Sequence, residues 1–137
     1  MERLKIIKEY LISQGGFKDE DMACHVLESE SVPVEQETGT GFHLFDDKYE
    51  ALIYILDVTQ EKYKYLKLLL YEWFRENRVD DEEKFRLSAD VITDTFSFVT
   101  VSMNLVESVH IAADVEGIVE RDGTMHRLSA EPMLTGI

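Results

Sequence analysis

The chain has 137 residues, of which 45% are apolar, and this is enough for one folded core and excludes a disordered chain. Its 28 acidic and 14 basic residues give a net charge of −14, which disfavours stable binding to nucleic acid. No run approaches the roughly 18 consecutive apolar residues that span a membrane, and the charged start is not typical of a secretory signal. Cys24 is the one cysteine, so we expect no internal disulfide and a cytosolic protein.

Two segments have the apolar period of an amphipathic helix. The first covers residues 2–13, with Leu4, Ile7 and Leu11 on one face, and Gly15-Gly16 ends it because glycine accepts left-handed geometry. The second is predicted to run for about five turns and to stop at Asn77. Its apolar stripe consists of Tyr63, Leu66, Leu70 and Trp73, with Leu69 and Phe74 beside them. Asp57 or Thr59 can cap its start.

Other segments indicate strands. Residues 22–30 are predicted as a strand, and the near-continuous apolar run 49–56 is typical of a central strand covered on both faces. The period changes to two in residues 85–91 and 96–109, which predicts two more strands. Asp122-Gly123 is a favoured pair for a two-residue type I′ turn and predicts a last hairpin.

The order helix, two strands, helix, and three or four strands predicts an α+β fold. We expect one domain over residues 1–137, with a mostly antiparallel sheet and two main helices packed on one face. Residues 31–41 hold Pro33, Gly39 and Gly41 and are predicted to be an exposed loop or a mobile hairpin. Thr93-Asp94-Thr95 is predicted as a turn, and the chain after Pro132 as a loose tail.

The sequence predicts no catalytic, cofactor-binding or metal-binding residues. The four histidines are isolated: His25, His43, His110 and His126. His25 and Glu28 would face opposite ways on a strand, so a metal site is not expected. Cys24 and His25 would also point apart, and we expect Cys24 to be a buried structural cysteine instead of a nucleophile. Gly39-Thr40-Gly41 lacks the lysine and the following helix of a phosphate-binding loop.

Two tyrosines of the second helix, Tyr65 and Tyr71, lie off its apolar stripe. We expect them to be exposed, and exposed aromatic side chains favour protein interfaces. With no active site predicted, the remaining classes of function bind proteins, and long strands can build a dimer or a ring through edge-to-edge contacts.

The second half of the chain contains four segments in a recognisable order and spacing. They are Trp73-Phe74-Arg75-Glu76-Asn77, then Ala89-Asp90-Val91-Ile92 with Asp94-Thr95, then Met103-Asn104-Leu105-Val106-Glu107-Ser108-Val109, and then Asp122-Gly123-Thr124-Met125-His126. Together they resemble the tail-completion proteins of contractile-tailed temperate bacteriophages over residues 66–128. The resemblance implies a structural protein, not an enzyme. Such proteins are similar to tail terminators, which have a sheet flanked by helices and are often hexamers.

The resemblance also implies what the protein does and with what it assembles. A terminator ring caps the last layer of the tail tube, stops polymerisation and presents a surface to the head connector. The implied partners are further copies of the chain, the tail tube protein and the head–tail connector protein, without a cofactor, stable nucleic-acid binding or a membrane. The implied locations are the host cytoplasm during assembly and then the virion tail of a phage or prophage.

The negative charge fits a ring through which DNA passes without sticking. Acidic residues must not face each other across subunit contacts, so basic residues such as Arg75, Arg78 and Arg86 are candidates for pairing there. One alternative is an acidic chaperone of type III secretion, a dimer that holds an effector segment in an exposed apolar groove. A third hypothesis, that the chain is a small enzyme, requires a pocket with convergent polar groups.

Overall fold

The computed structural model describes residues 2–91 and 96–129. The elements are α1 (Glu2–Gly15), a 3-10 turn (Asp19–Asp21), β1 (Met22–Glu37), β2 (Gly41–Thr59), α2 (Gln60–Asn77), β3 (Lys84–Val91), β4 (Phe96–Ala113), β5 (Val119–Arg121) and β6 (Thr124–Ser129). Their order agrees with the order predicted from the sequence, with four strands after the second helix. The α+β fold is therefore confirmed.

The six strands of the described residues belong to one sheet. The strands follow the order β1-β2-β4-β6-β5, and β3 pairs with β4 off this path. The β3–β4 pair is antiparallel and runs from Lys84 opposite Asn104 to Val91 opposite Ser97. The pairs β4–β6 and β5–β6 are antiparallel as well. The mostly antiparallel sheet expected from the short connections is thus confirmed.

The chain divides into two compact units. The first takes in residues 2–29 and the described part of 49–105, with both helices and β3, and the second takes in residues 30–48 and 106–129, with β5 and β6. The strands β1, β2 and β4 contribute residues to each unit. The expectation of a single domain over residues 1–137 stays a prediction.

The first unit is built around an apolar core between the helices and one face of the sheet. Helix α1 contributes Leu4, Ile7 and Leu11 to it, as its period predicts. The other core residues of this unit come from α2 (Leu66, Leu69, Leu70, Trp73 and Phe74), from β2 (Tyr49, Ala51, Ile53, Ile55 and Val58) and from β4 (Val99, Val101, Met103 and Leu105). Because strand residues point to alternate faces, these sets place both helices on the same face.

The strand β2 lies between β1 and β4, as predicted for a central strand. However, only alternate residues of its apolar run are buried, while Leu52 and Tyr54 are half-buried and Leu56 is 49% exposed. The prediction that both faces are covered is therefore wrong, because the helices close only one of them.

Helix α2 begins with a side-chain cap. The hydroxyl of Thr59 accepts a hydrogen bond from the backbone N–H of Lys62 at 3.1 Å, so Thr59 and not Asp57 is the cap. The helix ends at Asn77, whose side-chain amide donates to the carbonyl of Trp73 at 2.9 Å. Both ends of the predicted helix are confirmed.

In the second unit, the segment 31–41 forms strand for most of its length and not the predicted loop. Strand β1 continues through Glu37 and β2 begins at Gly41, so only residues 38–40 form the connection. The N–H of Thr38 donates to the carbonyl of Gly41 at 2.8 Å, and the N–H of Gly41 donates to the Thr38 hydroxyl at 3.0 Å. The loop alternative is wrong for residues 31–37, because pairing with β2 outweighs their polar composition. The hairpin alternative agrees with the structure.

The second hairpin has the predicted turn. Asp122 has φ 52° and Gly123 has φ 80°, and the type I′ turn requires positive φ at both residues. The predicted turn Thr93-Asp94-Thr95 and the predicted tail after Pro132 lie outside what the structure describes. Within residues 2–91 and 96–129, neither helix has the length and apolar character needed to cross a membrane.

Candidate functional site

The residues around Cys24 do not form a nucleophile–base pair. Cys24 is exposed, so the expectation of a buried cysteine is wrong, because β1 is an outer strand of the sheet. Desolvation nevertheless raises the pKa of the Cys24 thiol above its ordinary value of 9.0, while Lys8 opposes this shift and Asp19 adds to it. A raised pKa keeps the thiol protonated at neutral pH, which lowers its nucleophilicity.

Two of the histidines expected to be isolated come together in the second unit. The rings of His43 and His110 stack with centroids 4.4 Å apart and planes at 13°. The Nε2 of His43 lies 2.7 Å from Oδ1 of Asp46, which also accepts a hydrogen bond from the Ser108 hydroxyl at 2.8 Å. Sequence reasoning missed this pair because only strand register brings residues so far apart in the chain together.

Across the described ranges 2–91 and 96–129, no three or more His, Cys, Asp or Glu side chains are placed to hold a metal ion. The fourth histidine, His126, is 4% exposed, and its Nδ1 lies 2.8 Å from the carbonyl of Thr124. Its ring meets Phe42 edge to face at 5.6 Å, and the guanidinium of Arg121 lies 5.0 Å above the same phenyl ring. These contacts describe a packed structural histidine.

The first unit has two open sheet edges. Its strands follow the order β1-β2-β4-β3, so β1 and β3 are its outer strands, and among the described residues neither has a second strand neighbour. In β1 the residues from Ala23 to Ser29 are exposed except for Val26, which is half-buried. In β3 the half-buried Phe85, Leu87 and Ala89 alternate with exposed residues, in agreement with the period of two in the sequence. An outer strand presents unpaired backbone donors and acceptors that can pair with another chain.

The two edges differ in charge. No lysine or arginine lies between Lys18 and Lys48, a segment that includes all of β1. Four acidic residues lie in β1 itself: Glu28, Glu30, Glu35 and Glu37. Asp19, Glu20 and Asp21 precede the strand, whereas Asp46 and Asp47 belong to β2. The β3 edge carries Lys84 and Arg86, both exposed. The strand β1 is therefore acidic, whereas β3 has two basic side chains, Lys84 and Arg86, and one acidic side chain, Asp90, and follows the acidic run Asp80-Asp81-Glu82-Glu83.

A shallow cavity of about 330 Å³ lies between the end of α2 and the start of β3. Its lining is Tyr71, Phe74, Arg75, Arg78, Glu83, Lys84 and Phe85, and we call it the basic groove. Arg75 is paired on its own helix, since its guanidinium lies 2.6 Å from Glu72 and 3.4 Å from Glu76, and the bond to Glu72 raises the pKa of Arg75. Arg78 is exposed, and Tyr71 and Tyr65 are 58% and 48% exposed, as expected for tyrosines off the stripe.

The fold and its two open edges indicate the class of protein to which the chain belongs. An acidic α+β subunit with two open edges of unlike charge has the features of a protein that assembles with other chains. Residues 1–132 match the family model described as P2 phage tail completion protein R (GpR), and the chain belongs to that family. The match confirms the resemblance to tail-completion proteins, extends it from residues 66–128 to nearly the whole chain, and sets the secretion chaperone aside.

The family is one of structural phage tail proteins and not a known enzyme family. A search of the curated proteins finds no match to the chain. A search of the solved structures finds none either.

Proposed function

We propose that the chain caps the phage tail tube as an oligomeric ring, expected to be a hexamer, which stops tube polymerisation and provides the surface that joins the head. The observation that carries this proposal is the match to a tail completion family over residues 1–132. A tube end is a ring of equivalent subunits, and a cap with the same cyclic symmetry contacts each of them in the same way. The tail tube protein and the head–tail connector protein are accordingly the proposed partners.

The charge of the chain supports a ring around a DNA channel. Each copy carries a net charge of −14, so six copies carry −84. Acidic side chains that face the channel repel the phosphates of the DNA, which then passes without binding. The ring is proposed to have no catalytic activity, to form in the host cytoplasm during assembly of a phage or prophage, and to remain in the virion tail.

The mass of the protein in solution and on tubes tests the ring. Light scattering over a concentration series measures the mass, and the measurement is repeated with purified tail tubes. A species near six times 15.9 kDa is expected, either free or at tube ends. A stable dimer that leaves tube ends bare would contradict the proposal. So would tails of normal length, joined to heads, in cells from which the gene has been deleted.

The position of the acidic side chains needs a separate test. In an electron microscopy reconstruction of the capped tube, they are expected to line the channel. Acidic residues gathered on the outer rim, around a neutral or basic channel, would overturn the role of charge and leave the capping function standing.

A further inference from the structure

We propose that successive subunits join head to tail, with the β1 edge of one copy laid along the β3 edge and the basic groove of the next. This inference rests on the proposed ring and names the surfaces that build it. The first argument is geometric, since β1 and β3 are the two outer strands of the first unit, in the order β1-β2-β4-β3. A contact between two different edges is heterologous and continues from copy to copy, as a ring requires.

Charge selects this pairing over a symmetric one. The strand β1 has four acidic residues, Glu28, Glu30, Glu35 and Glu37, and no lysine or arginine. Two such edges from two copies would repel each other. The β3 edge offers Lys84 and Arg86, and the basic groove beside it adds Arg78. The occupant that fits the β3 edge on charge is therefore the β1 edge of a second copy.

The exposed apolar residues support the same contact. In the lining of the basic groove, Tyr71 is 58% exposed and Phe85 is half-buried. On the face of β1 that is turned away from the core, Leu27 is 48% exposed. Exposed aromatic side chains beside charged ones are typical of protein interfaces.

The faces of the two strands define which residues meet. Met22 is buried and Val26 half-buried on the core side of β1, so His25 and Leu27 point to the opposite side. On β3 the exposed residues Arg86, Ser88 and Asp90 point away from the core. A sheet that continues from one copy to the next keeps these sides together, so His25 lies on the same face as Arg86, Ser88 and Asp90 of the next copy.

Cross-linking between two different variants tests the contact. Cys24, the sole cysteine, is first replaced by serine. His25→Cys is then introduced in one preparation and Ser88→Cys in another, with Arg86→Cys and Asp90→Cys covering a shift of the register. The two preparations are mixed in equal amounts, with and without tail tubes, and treated with a short bismaleimide. Lys64→Cys, on an exposed part of α2, replaces the β3 variant in the control mixture.

We expect covalent pairs of chains in the mixture at a yield several-fold above that in either preparation alone or with Lys64→Cys. Pairs formed by His25→Cys alone would reveal a symmetric β1 contact and overturn the inference. Cross-links to the tube protein in place of a second copy would overturn it too. If rings form on tubes but no mixed cross-link appears at any β3 position, the edge contact is refuted and the capping ring stands. If no ring forms, the ring itself is refuted.

Charge reversal gives a second measurement that does not depend on cysteine. The double variant Arg78→Glu/Lys84→Glu is expected to lower the fraction of assembled protein several-fold at low salt. Lys64→Glu/Lys67→Glu makes the same change in net charge on exposed positions of α2 and is expected to assemble normally. Equal losses in both double variants would show that only total charge matters, and would contradict a contact at the basic groove.

Discussion

The guanidinium of Arg3 in α1 forms an ion pair with the carboxylate of Glu83, whose side chain is fully buried just before β3. The same carboxylate accepts a hydrogen bond from the backbone N–H of Val79 at 2.8 Å. Arg3 also donates to the carbonyl of Asn77 at 2.8 Å and lies 5.2 Å above the Trp73 ring. One arginine near the start of the chain thus fixes the connection between α2 and β3, next to the basic groove.

Removing one partner of this pair is expected to destabilise the fold. Arg3→Met removes the guanidinium that forms an ion pair with the buried Glu83 carboxylate, and we expect a loss of about 3 kcal/mol in the free energy of unfolding. Urea denaturation followed by circular dichroism measures it. Asp81→Asn, an exposed position in the same connection, is the control and should change the free energy by less than about 0.5 kcal/mol. Equal stability of Arg3→Met and the wild type would contradict a structural role for the pair.

Gly41 is a position where the space beside the backbone forbids a side chain. A Cβ atom there would lie 1.9 Å from the carbonyl oxygen of Ile111, whereas a Cβ at Gly39 meets nothing within 4 Å. Gly41→Ala is therefore expected to cost about 1–3 kcal/mol through overpacking. Gly39→Ala, two residues away, is expected to be neutral or slightly stabilising. Thermal unfolding of the two variants compares them directly, and similar melting temperatures would argue against the close approach.

The cap of α2 can be tested with two conservative changes. Thr59→Ala removes the hydroxyl that accepts from Lys62, and we expect a loss of about 1 kcal/mol in the free energy of unfolding. Thr59→Ser keeps the hydroxyl and should retain most of the stability. If Thr59→Ser lost as much as Thr59→Ala, the methyl group and not the hydrogen bond would account for the effect.

The thiol of Cys24 is expected to react slowly with alkylating reagents. Its pKa is raised in the folded protein, chiefly by desolvation, so the thiolate forms at a higher pH than in the unfolded chain. The associated contribution to stability is present below the ordinary pKa of 9.0 and is lost as the pH rises through the folded pKa. Rates of reaction with iodoacetamide between neutral and alkaline pH, in buffer and in urea, measure both pKa values. If the rate reached half its maximum at a lower pH in buffer than in urea, folding would lower the pKa of Cys24, and the prediction would be wrong.

The elements that depend on neighbours in the chain could be predicted from the sequence alone. The three- and four-residue steps from Leu66 to Trp73 predicted α2, because an apolar stripe at helical spacing has to face a core. Asp122-Gly123 predicted its turn, since few other residue pairs adopt positive φ twice. The order of the segments around Trp73 and Met103 was enough to indicate the family that the match over residues 1–132 establishes.

The features that depend on pairing between distant residues could not be predicted before the folded chain was known. Polar composition suggested a loop after Ser31, yet the hydrogen bonds to β2 carry β1 on to Glu37. His43 and His110 meet, and Arg3 finds Glu83, because strand register and helix packing bring them together. The same pairing leaves β1 and β3 as outer strands, which no local pattern distinguishes from inner ones. Local sequence fixes which segments are helices and strands, whereas the edges that remain open depend on how the whole sheet is ordered.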